Sequence, residues 1–375
     1  MPGIYIHIPF CKSKCIYCDF CSITKLDFND NFLSALKKEI LIRKNELQNE
    51  FIETIYFGGG TPSLLKTSEI QKIIDVIFEN YKITENPEIT IEVNPDDITL
   101  QYLKQLIKIG INRISIGVQS FNDEILNFLG RRHNSVQAEK TIKYSIEAGF
   151  KNISADLIFG IPGLTINDII SDLDVFIKYK VQHISAYHLT YEKGTKLHKL
   201  LTSNKIKIID EEFSLQQFST IENHLISNDY FHYEISNYSL KGFESRHNSN
   251  YWNGISYLGF GTSAHSFNCD IRSWNTDNLS VYISKINEGK LPSKHEKLNP
   301  NMKYNEFIMT SLRTSKGVDF ELIKSKFGIK YFEIFITSTN KYLKMGYIIK
   351  NKNNYILTSK GMFLSDGIIA DLFIV

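Results

Sequence analysis

Cysteine is scarce in this chain, five in 375 residues, and four of the five fall between positions 11 and 21. A disulfide framework spreads its pairs along the fold, so that crowding excludes one. No second C-x-x-C pair follows downstream, and with it goes the four-ligand pattern of a structural zinc site. Long apolar runs are missing, none approaching the roughly 18 residues of a membrane span. The opening MPGIYIHIPF has neither the basic start nor the apolar stretch of a signal peptide, so a cytoplasmic protein is expected. Neither sign of charge dominates: 43 Lys plus Arg stand against 41 Asp plus Glu, and a net +2 gives no reason to expect nucleic acid as a partner. Phosphate motifs are lacking too, since GGGTPS has no G-K-[ST] ending and no G-x-G-x-x-G opens a helix.

What is present is the triplet Cys11, Cys15 and Cys18 in HIPFCKSKCIYCDF. Thiolate sulfur is the soft donor of protein iron–sulfur clusters. Three cysteines so close can wrap one [4Fe–4S] cube and leave its fourth iron open to an exchangeable molecule. The spacing C-x3-C-x2-C, with an aromatic just before the third cysteine, resembles the radical S-adenosylmethionine (SAM) superfamily. That resemblance implies that the methionyl amino and carboxylate groups of SAM chelate the open iron, and that an electron from the cluster splits SAM to a 5′-deoxyadenosyl radical.

Along the chain, β-rich runs at 4–8, 54–57, 89–93, 113–118, 153–158 and 183–189 alternate with segments of helical period. Residues 31–47 put Phe32, Leu36, Ile40 and Leu47 on one stripe; Ile70, Ile73, Ile74 and Ile77 form another after an N-cap expected at Thr67 or Ser68. Six β/α units predict an α/β fold, a parallel sheet with helices outside it, closed as a partial (β/α)6 barrel. In such barrels the site lies at the C-terminal ends of the strands. That rim carries His7 and the cysteine loop, the glycines of 58–60 with Thr61, Glu92 and Asn94, Gln119, Asp156, and Tyr187 with His188. A solvated loop residue is the simple reading of any one of these; their joint placement around a cysteine loop is what points to a site. Consecutive glycines let a backbone approach a ligand closely.

The series YIHIPFCKSKCIYC, YFGGGTPS, IEVNPDD, ISIGVQSFND, GRRH and ADLIFGIPG resembles the oxygen-independent coproporphyrinogen dehydrogenase branch of the superfamily, in order and spacing. The resemblance implies that Cys11, Cys15 and Cys18 hold the cluster and that Tyr5, Gly59 and Glu92 lie beside its SAM. It implies that Tyr17, Gly60, Thr61, Gln119, Arg131 and Asp156 line the neighbouring pocket, which holds a second SAM in the coproporphyrinogen enzyme. Chemically, Glu92 can accept from ribose hydroxyls and Arg131 can pair with a carboxylate. Three departures separate this chain from the dehydrogenase: Phe20 stands where that enzyme has a fourth cysteine, with Cys21 one place later; the first strand starts at Ile4 without the tetrapyrrole-holding arm; and RHNSNYW, 246–252, matches the HNxxYW motif of the HemW-type haem chaperones.

In that motif a neutral His247 suits an axial haem ligand, Tyr251 and Trp252 offer flat surface to a porphyrin, and Arg246 suits a propionate. A hydrogen-bonded interior histidine is the other reading, with the motif shaping the barrel floor and ligation left to a residue such as His265. Cys21 and Cys269 are assigned no role. Residues 302–312, 320–327 and 331–343 read as helices and 346–357 as a hairpin, a winged-helix-like module resembling the family's C-terminal domain. The expected division is 1–230 for the barrel, 231–300 for an extension carrying the haem motif, and 301–375 for the C-terminal module. The function implied is a haem chaperone holding a [4Fe–4S] cluster, SAM and haem. Its implied partners are haem and an acceptor haem protein of the respiratory kind, met by transient contact with a membrane protein, and a homodimer is compatible with the same reading. The alternative is an enzyme that decarboxylates two propionates of coproporphyrinogen III to give protoporphyrinogen IX.

Overall fold

Alternating β-rich and amphipathic segments build one twelve-stranded sheet with helices packed against it in the computed structural model, which describes residues 1–24, 29–47 and 50–375. The first half comprises β1 (Gly3–Ile8), α1 (Asn29–Ile42), β2 (Ile52–Gly59), α2 (Thr67–Asn80), β3 (Ile83–Val93), α3 (Leu100–Lys108), β4 (Arg113–Gln119), α4 (Asp123–Leu129), α5 (Ser135–Ala148), β5 (Asn152–Phe159), α6 (Ile166–Lys178) and β6 (His183–His188). There follow α7 (Lys196–Thr202), α8 (Glu211–Ile226), β7 (Phe231–Glu234), β8 (Asn237–Ser239), α9 (Arg246–Trp252), β9 (Tyr257–Phe260), β10 (His265–Phe267), β11 (Ile271–Asn275), α10 (Leu279–Asn287) and β12 (Ser293–Lys297). The chain ends with α11 (Pro300–Leu312), β13 (Val318–Asp319), α12 (Phe320–Phe327), α13 (Ile329–Lys344), β14 (Ile348–Asn351), β15 (Asn354–Leu357), α14 (Ser359–Phe363) and α15 (Ser365–Asp371).

The order is β12-β11-β10-β9-β1-β2-β3-β4-β5-β6-β8-β7, with β9 and β1 to β6 all parallel and the flanks antiparallel. The six predicted barrel strands are present. A seventh parallel strand, β9, pairs with β1 through Gly3↔Tyr257 to Ile6↔Phe260. Four residues are too few to show a period-2 pattern, which is why the sequence did not reveal it. The expected N-cap at Thr67 or Ser68 falls instead at Lys66, whose backbone N–H donates to Glu69 Oε2 at 2.7 Å. The predicted 31–47 helix stops at Ile42, where Arg43 turns into the core and donates to the Gly259 carbonyl at 2.8 Å and to Glu39 at 3.2 Å.

Strand alternation separates two environments. Ile4, Ile6, Ile55, Phe57, Ile91, Ile114, Ile116 and Ile184 are fully buried on the helix-facing side. The alternate residues, Tyr5, His7, Thr54, Tyr56, Glu92, Arg113, Ser115, Asp156 and His183, line a polar lumen and hydrogen-bond across it: Tyr56 to Glu92 at 2.9 Å, Ser115 to Asp156 at 3.4 Å, Ser154 to His183 at 2.8 Å. A polar interior is tolerated only where partners exist or a ligand enters.

After the sheet, α11 to α13 and the three-stranded β13-β15-β14 sheet form the winged-helix-like module. Two short helices that no periodicity announced, α14 and α15, return the chain onto α8 and α11.

One buried acid outside the lumen yields a stability prediction. Asp172 on α6 accepts from Ser120 Oγ at 2.7 Å and from the Phe121 N–H at 2.8 Å, and burial pushes its carboxyl up to about 7. Because the folded value lies above the ordinary one, the stability it contributes is full below the ordinary carboxylate range and is lost as pH rises through about 7. Asp172→Asn keeps the shape without the charge. The variant is therefore expected to exceed the parent by about 1–2 kcal/mol at pH 5 and by about 4 kcal/mol at pH 8 in urea melts. A difference that does not change with pH would refute the shift.

Candidate functional site

The cysteine loop leaves the C-terminal end of β1 and is pinned from both sides. The Cys11 N–H donates to the Ile23 carbonyl at 2.9 Å and the Ile23 N–H to the Pro9 carbonyl at 2.7 Å. From below, His7 Nε2 meets the Cys21 carbonyl at 2.8 Å, which fixes that nitrogen as the N–H, so Nδ1 accepts from Tyr5 OH at 3.2 Å. Thr61 Oγ1 donates to Cys11 Sγ at 3.4 Å and Arg131 Nη1 to Cys15 Sγ at 3.5 Å. Burial pushes the Cys18 thiol up to about 11, and the neighbouring Cys15 and Cys11 add to the rise against a backbone bond from Phe20. Crowded thiols of this kind ionise when metal charge compensates them. The described residues contain no group of His, Cys, Asp or Glu closing on a single metal-ion position. A cube needs no such convergence, because each thiolate takes its own iron.

The three cysteines border a cleft of about 470 Å³. Its other walls include Tyr17, Gly59, Gly60, Thr61, Glu92, Gln119, Arg131 and Asp156, so every residue expected at the cluster or SAM lines this one space except Tyr5. Tyr5 stands one layer below, its hydroxyl on His7 and its ring stacked against Tyr56 at 6.1 Å and His247 at 6.5 Å. Burial raises Glu92 to about 7 and Asp156 to about 6, opposed by the hydroxyls of Tyr56 and Ser185 respectively. Burial works against the charge of Arg131, but Tyr17 and Cys15 outweigh it and hold the guanidinium charged.

Two features of the walls fit a polar ligand. Among the described residues Gln119 Oε1 and Arg131 Nε have no partner, although they are buried and their side chains face the cleft. Gln119 also sits at φ 70, at a register shift between Ile116 and Gln119 that ends β4 and aims the amide at the rim. The remaining donors of Arg131 go to the Gly117 carbonyl at 2.7 Å and to Asn94. The donor set therefore suits a cluster on the thiols with SAM over Glu92, and a second anionic group near Arg131.

Gly60 shows how closely the parts are set. A Cβ there would stand 2.6 Å from the Phe10 carbonyl oxygen, 2.9 Å from that of Ile8 and 3.1 Å from Cys11 Sγ. Gly60→Ala is expected to displace the cysteine loop and lower the iron content of the anaerobically reconstituted protein by half or more, by an overpacking cost of about 1–3 kcal/mol. Wild-type iron content and melting temperature would show that the loop yields freely.

His247 lies at the opposite end of the barrel, beside Gly3 and Thr54, and is 2% exposed. Its Nδ1 is 2.7 Å from Thr54 Oγ1 and its Nε2 2.8 Å from Tyr251 OH; the ring stacks on Tyr56 at 5.0 Å. Burial, helped by the Arg113 charge, drives its pKa down to about 3. As folded, neither nitrogen is free for an iron, and the ring closes the barrel floor, the other placement that the sequence left open. Glu88 holds this helix start by accepting from the Arg246 and His247 N–H groups at 3.1 and 3.0 Å. Arg246 donates to the Asn86 carbonyl at 2.9 Å. His265 is exposed near the cysteine-loop end, its ring stacked on Trp274 at 6.0 Å.

Sequence reasoning missed Tyr56, which bonds Glu92, and Arg113, 2% exposed at the start of β4. Both were findable: each shares strand parity with a residue already assigned to the rim, Tyr56 with Gly58 and Arg113 with Gln119.

Comparison with known proteins bears on the family and the fold. Residues 5–176 match the Radical SAM superfamily, and residues 298–364 match the HemN C-terminal domain. The heme chaperone HemW of Lactococcus lactis is 31% identical over 97% of this chain and 95% of its own length, and that of Bacillus subtilis is 31% identical over 98% of each. The fold is shared with the coproporphyrinogen III oxidase HemN of Escherichia coli, with a TM-score of 0.85 at 23% identity over 99% of this chain and 90% of that one. Similarity of this extent reaches from the cysteine loop through the barrel floor to the C-terminal module, and by it the chain belongs to the HemW family within the radical SAM superfamily.

Proposed function

We propose that this protein is a haem chaperone: it holds a [4Fe–4S] cluster and SAM in the cleft beneath the cysteine loop, binds haem, and passes it to an acceptor haem protein. The observation that carries the reading is the near full-length similarity to proteins named heme chaperones. The cleft geometry supports its cofactor half. Cys11, Cys15 and Cys18 would take three irons, and Glu92, ionised above about pH 7, would accept from the ribose hydroxyls of SAM. When bound, a reduced cluster would supply an electron to the SAM sulfonium. Thr61 and Arg131 steady two of the thiols, and His7 keeps the loop seated on β1. The acceptor would be a respiratory haem protein met by transient contact; among the described residues no helix is long and apolar enough to cross a membrane.

A second reading, oxidative decarboxylation of coproporphyrinogen III, is favoured by Gln119, Arg131 and Asp156, which border the same cleft, the first two with a polar atom unpartnered among the described residues. Its test is anaerobic incubation with reductant, SAM and coproporphyrinogen III, run beside transfer of bound haem to an apo-haem protein. Transfer without protoporphyrinogen is the expected result. Turnover to protoporphyrinogen would overturn the chaperone reading.

A further inference from the structure

A second cleft, of about 730 Å³, opens at the end of the barrel away from the cysteine loop, between the HNSNYW segment and the C-terminal module. Its position follows from strand direction: β9 runs parallel to β1, so Tyr257 lies at the same end as Gly3, and β10 returns Phe267 to pair with it. The volume falls in the range of about 300–1,000 Å³ usual for ligand sites. One wall presents Tyr251, Trp252, Tyr257 and Phe267, and the facing module presents Phe307 and Phe327. Several of these rings are held: Tyr251 by His247 at 2.8 Å and Trp252 by the Arg313 guanidinium 4.7 Å over its face. The indole N–H of Trp252 is buried and has no partner among the described residues.

The charges around this apolar slot are sorted. The two carboxylates on its border are engaged, Glu306 with Arg272 at 2.6 Å and Asp319 as acceptor from the Glu321 N–H at 2.9 Å at the start of α12. Lys316 and Lys326, also on the border, have no carboxylate partner among the described residues, and Lys326 lies 5.3 Å over the Phe307 ring. A flat aromatic slot with two free ammonium groups at its edge fits a planar dianion. Cys269, exposed and at φ 71, stands on the same border, with Sγ 3.5 Å from Ser256 Oγ and 3.7 Å from the Gly254 carbonyl oxygen. Thiolate is one of the axial donors that haem iron accepts.

The geometry points to this cleft as the haem seat: the porphyrin lies between the Tyr251–Trp252 wall and the Phe307–Phe327 wall, its propionates meet Lys316 and Lys326, and Cys269 gives its thiol proton to solvent and ligates the iron. The inference rests on the chaperone reading above and assigns the site that reading leaves open. It places haem and cluster at opposite ends of the barrel. Haem then rides on the protein without entering the cleft where SAM would be cleaved.

The test uses the full chain, reduced and anaerobic, titrated with ferric haem and followed by Soret absorption and electron paramagnetic resonance. Cys269→Ser is expected to abolish the thiolate signature and weaken binding roughly tenfold, the scale of one lost iron ligand or charged contact. The double variant Lys316→Gln with Lys326→Gln is expected to keep the spectrum, lose about tenfold in haem affinity, and bind an iron porphyrin without propionates as the parent does. Cys15→Ser is expected to bind haem like the parent. An unchanged spectrum in Cys269→Ser removes the ligand assignment. Equal losses toward both porphyrins in the lysine variant remove the propionate assignment, and haem binding that disappears in Cys15→Ser moves the site to the cluster cleft. A parent chain that shows no saturable haem binding would refute the chaperone reading itself.

Discussion

Cys15→Ser is expected to eliminate the broad charge-transfer absorption of an anaerobically reconstituted cluster, and SAM binding with it, while leaving the protein folded. Serine is a hard, weakly acidic ligand for the iron that Cys15 alone would hold, and the one further sulfur of this loop, Cys21, is turned to the Asp277 carbonyl at 3.5 Å. The fold does not depend on the thiol. The loop is held by the Cys11–Ile23 and Ile23–Pro9 backbone bonds and by His7 on the Cys21 carbonyl. Cys15 Sγ itself accepts one long bond from Arg131 at 3.5 Å. The apo variant should therefore melt within about 1 kcal/mol of the parent, as surface-like changes do. Cys21→Ser is the matched control: among the described residues that Sγ reaches the Asp277 carbonyl, at 3.5 Å, and the variant should keep a full cluster. Retention of a full cluster by Cys15→Ser would sink the ligand set, and loss by Cys21→Ser would enlarge it.

The cysteine loop stood out in the sequence because its chemistry is local: three soft donors lie within eight residues. The barrel was legible because each β/α unit repeats its own periodicity, so six short patterns reinforce one another. Two things resisted. The polar lumen was hidden because Thr54, Tyr56, Arg113 and His183 read as the solvent face of half-buried strands, and only the curvature of the sheet turns that face inward. The second obstacle was distance along the chain. His247 meets Thr54 across 193 positions, and Cys269 borders the same cleft as Phe307 and Phe327 of the C-terminal module, juxtapositions that no local spacing announces. That is why a motif with the composition of a ligand site turned out to carry a packed imidazole, with its aromatic neighbours facing a cleft.

His247→Ala has the largest expected effect on stability, and it separates the two readings of the motif. The substitution empties a site that is 2% exposed and strips the partners from Thr54 Oγ1 and Tyr251 OH. Unsatisfied buried hydroxyls and the cavity together are expected to cost about 3–5 kcal/mol at pH 7.5. The pH dependence carries a sign. With its pKa driven down to about 3, the folded imidazole stays neutral where an unfolded one would charge, so its contribution is full above the ordinary histidine range and declines as pH falls toward 3. The gap between parent and variant should accordingly be widest near pH 7.5 and narrow at pH 5, read by urea melts at both. His247→Gln, able to bond one of the two hydroxyls, should recover part of the loss. If instead His247 leaves the floor to bind iron, the Soret band of the haem complex will change in both variants; a band that keeps its position while Tyr251, freed from its anchor, costs affinity identifies the histidine as the support of the aromatic wall.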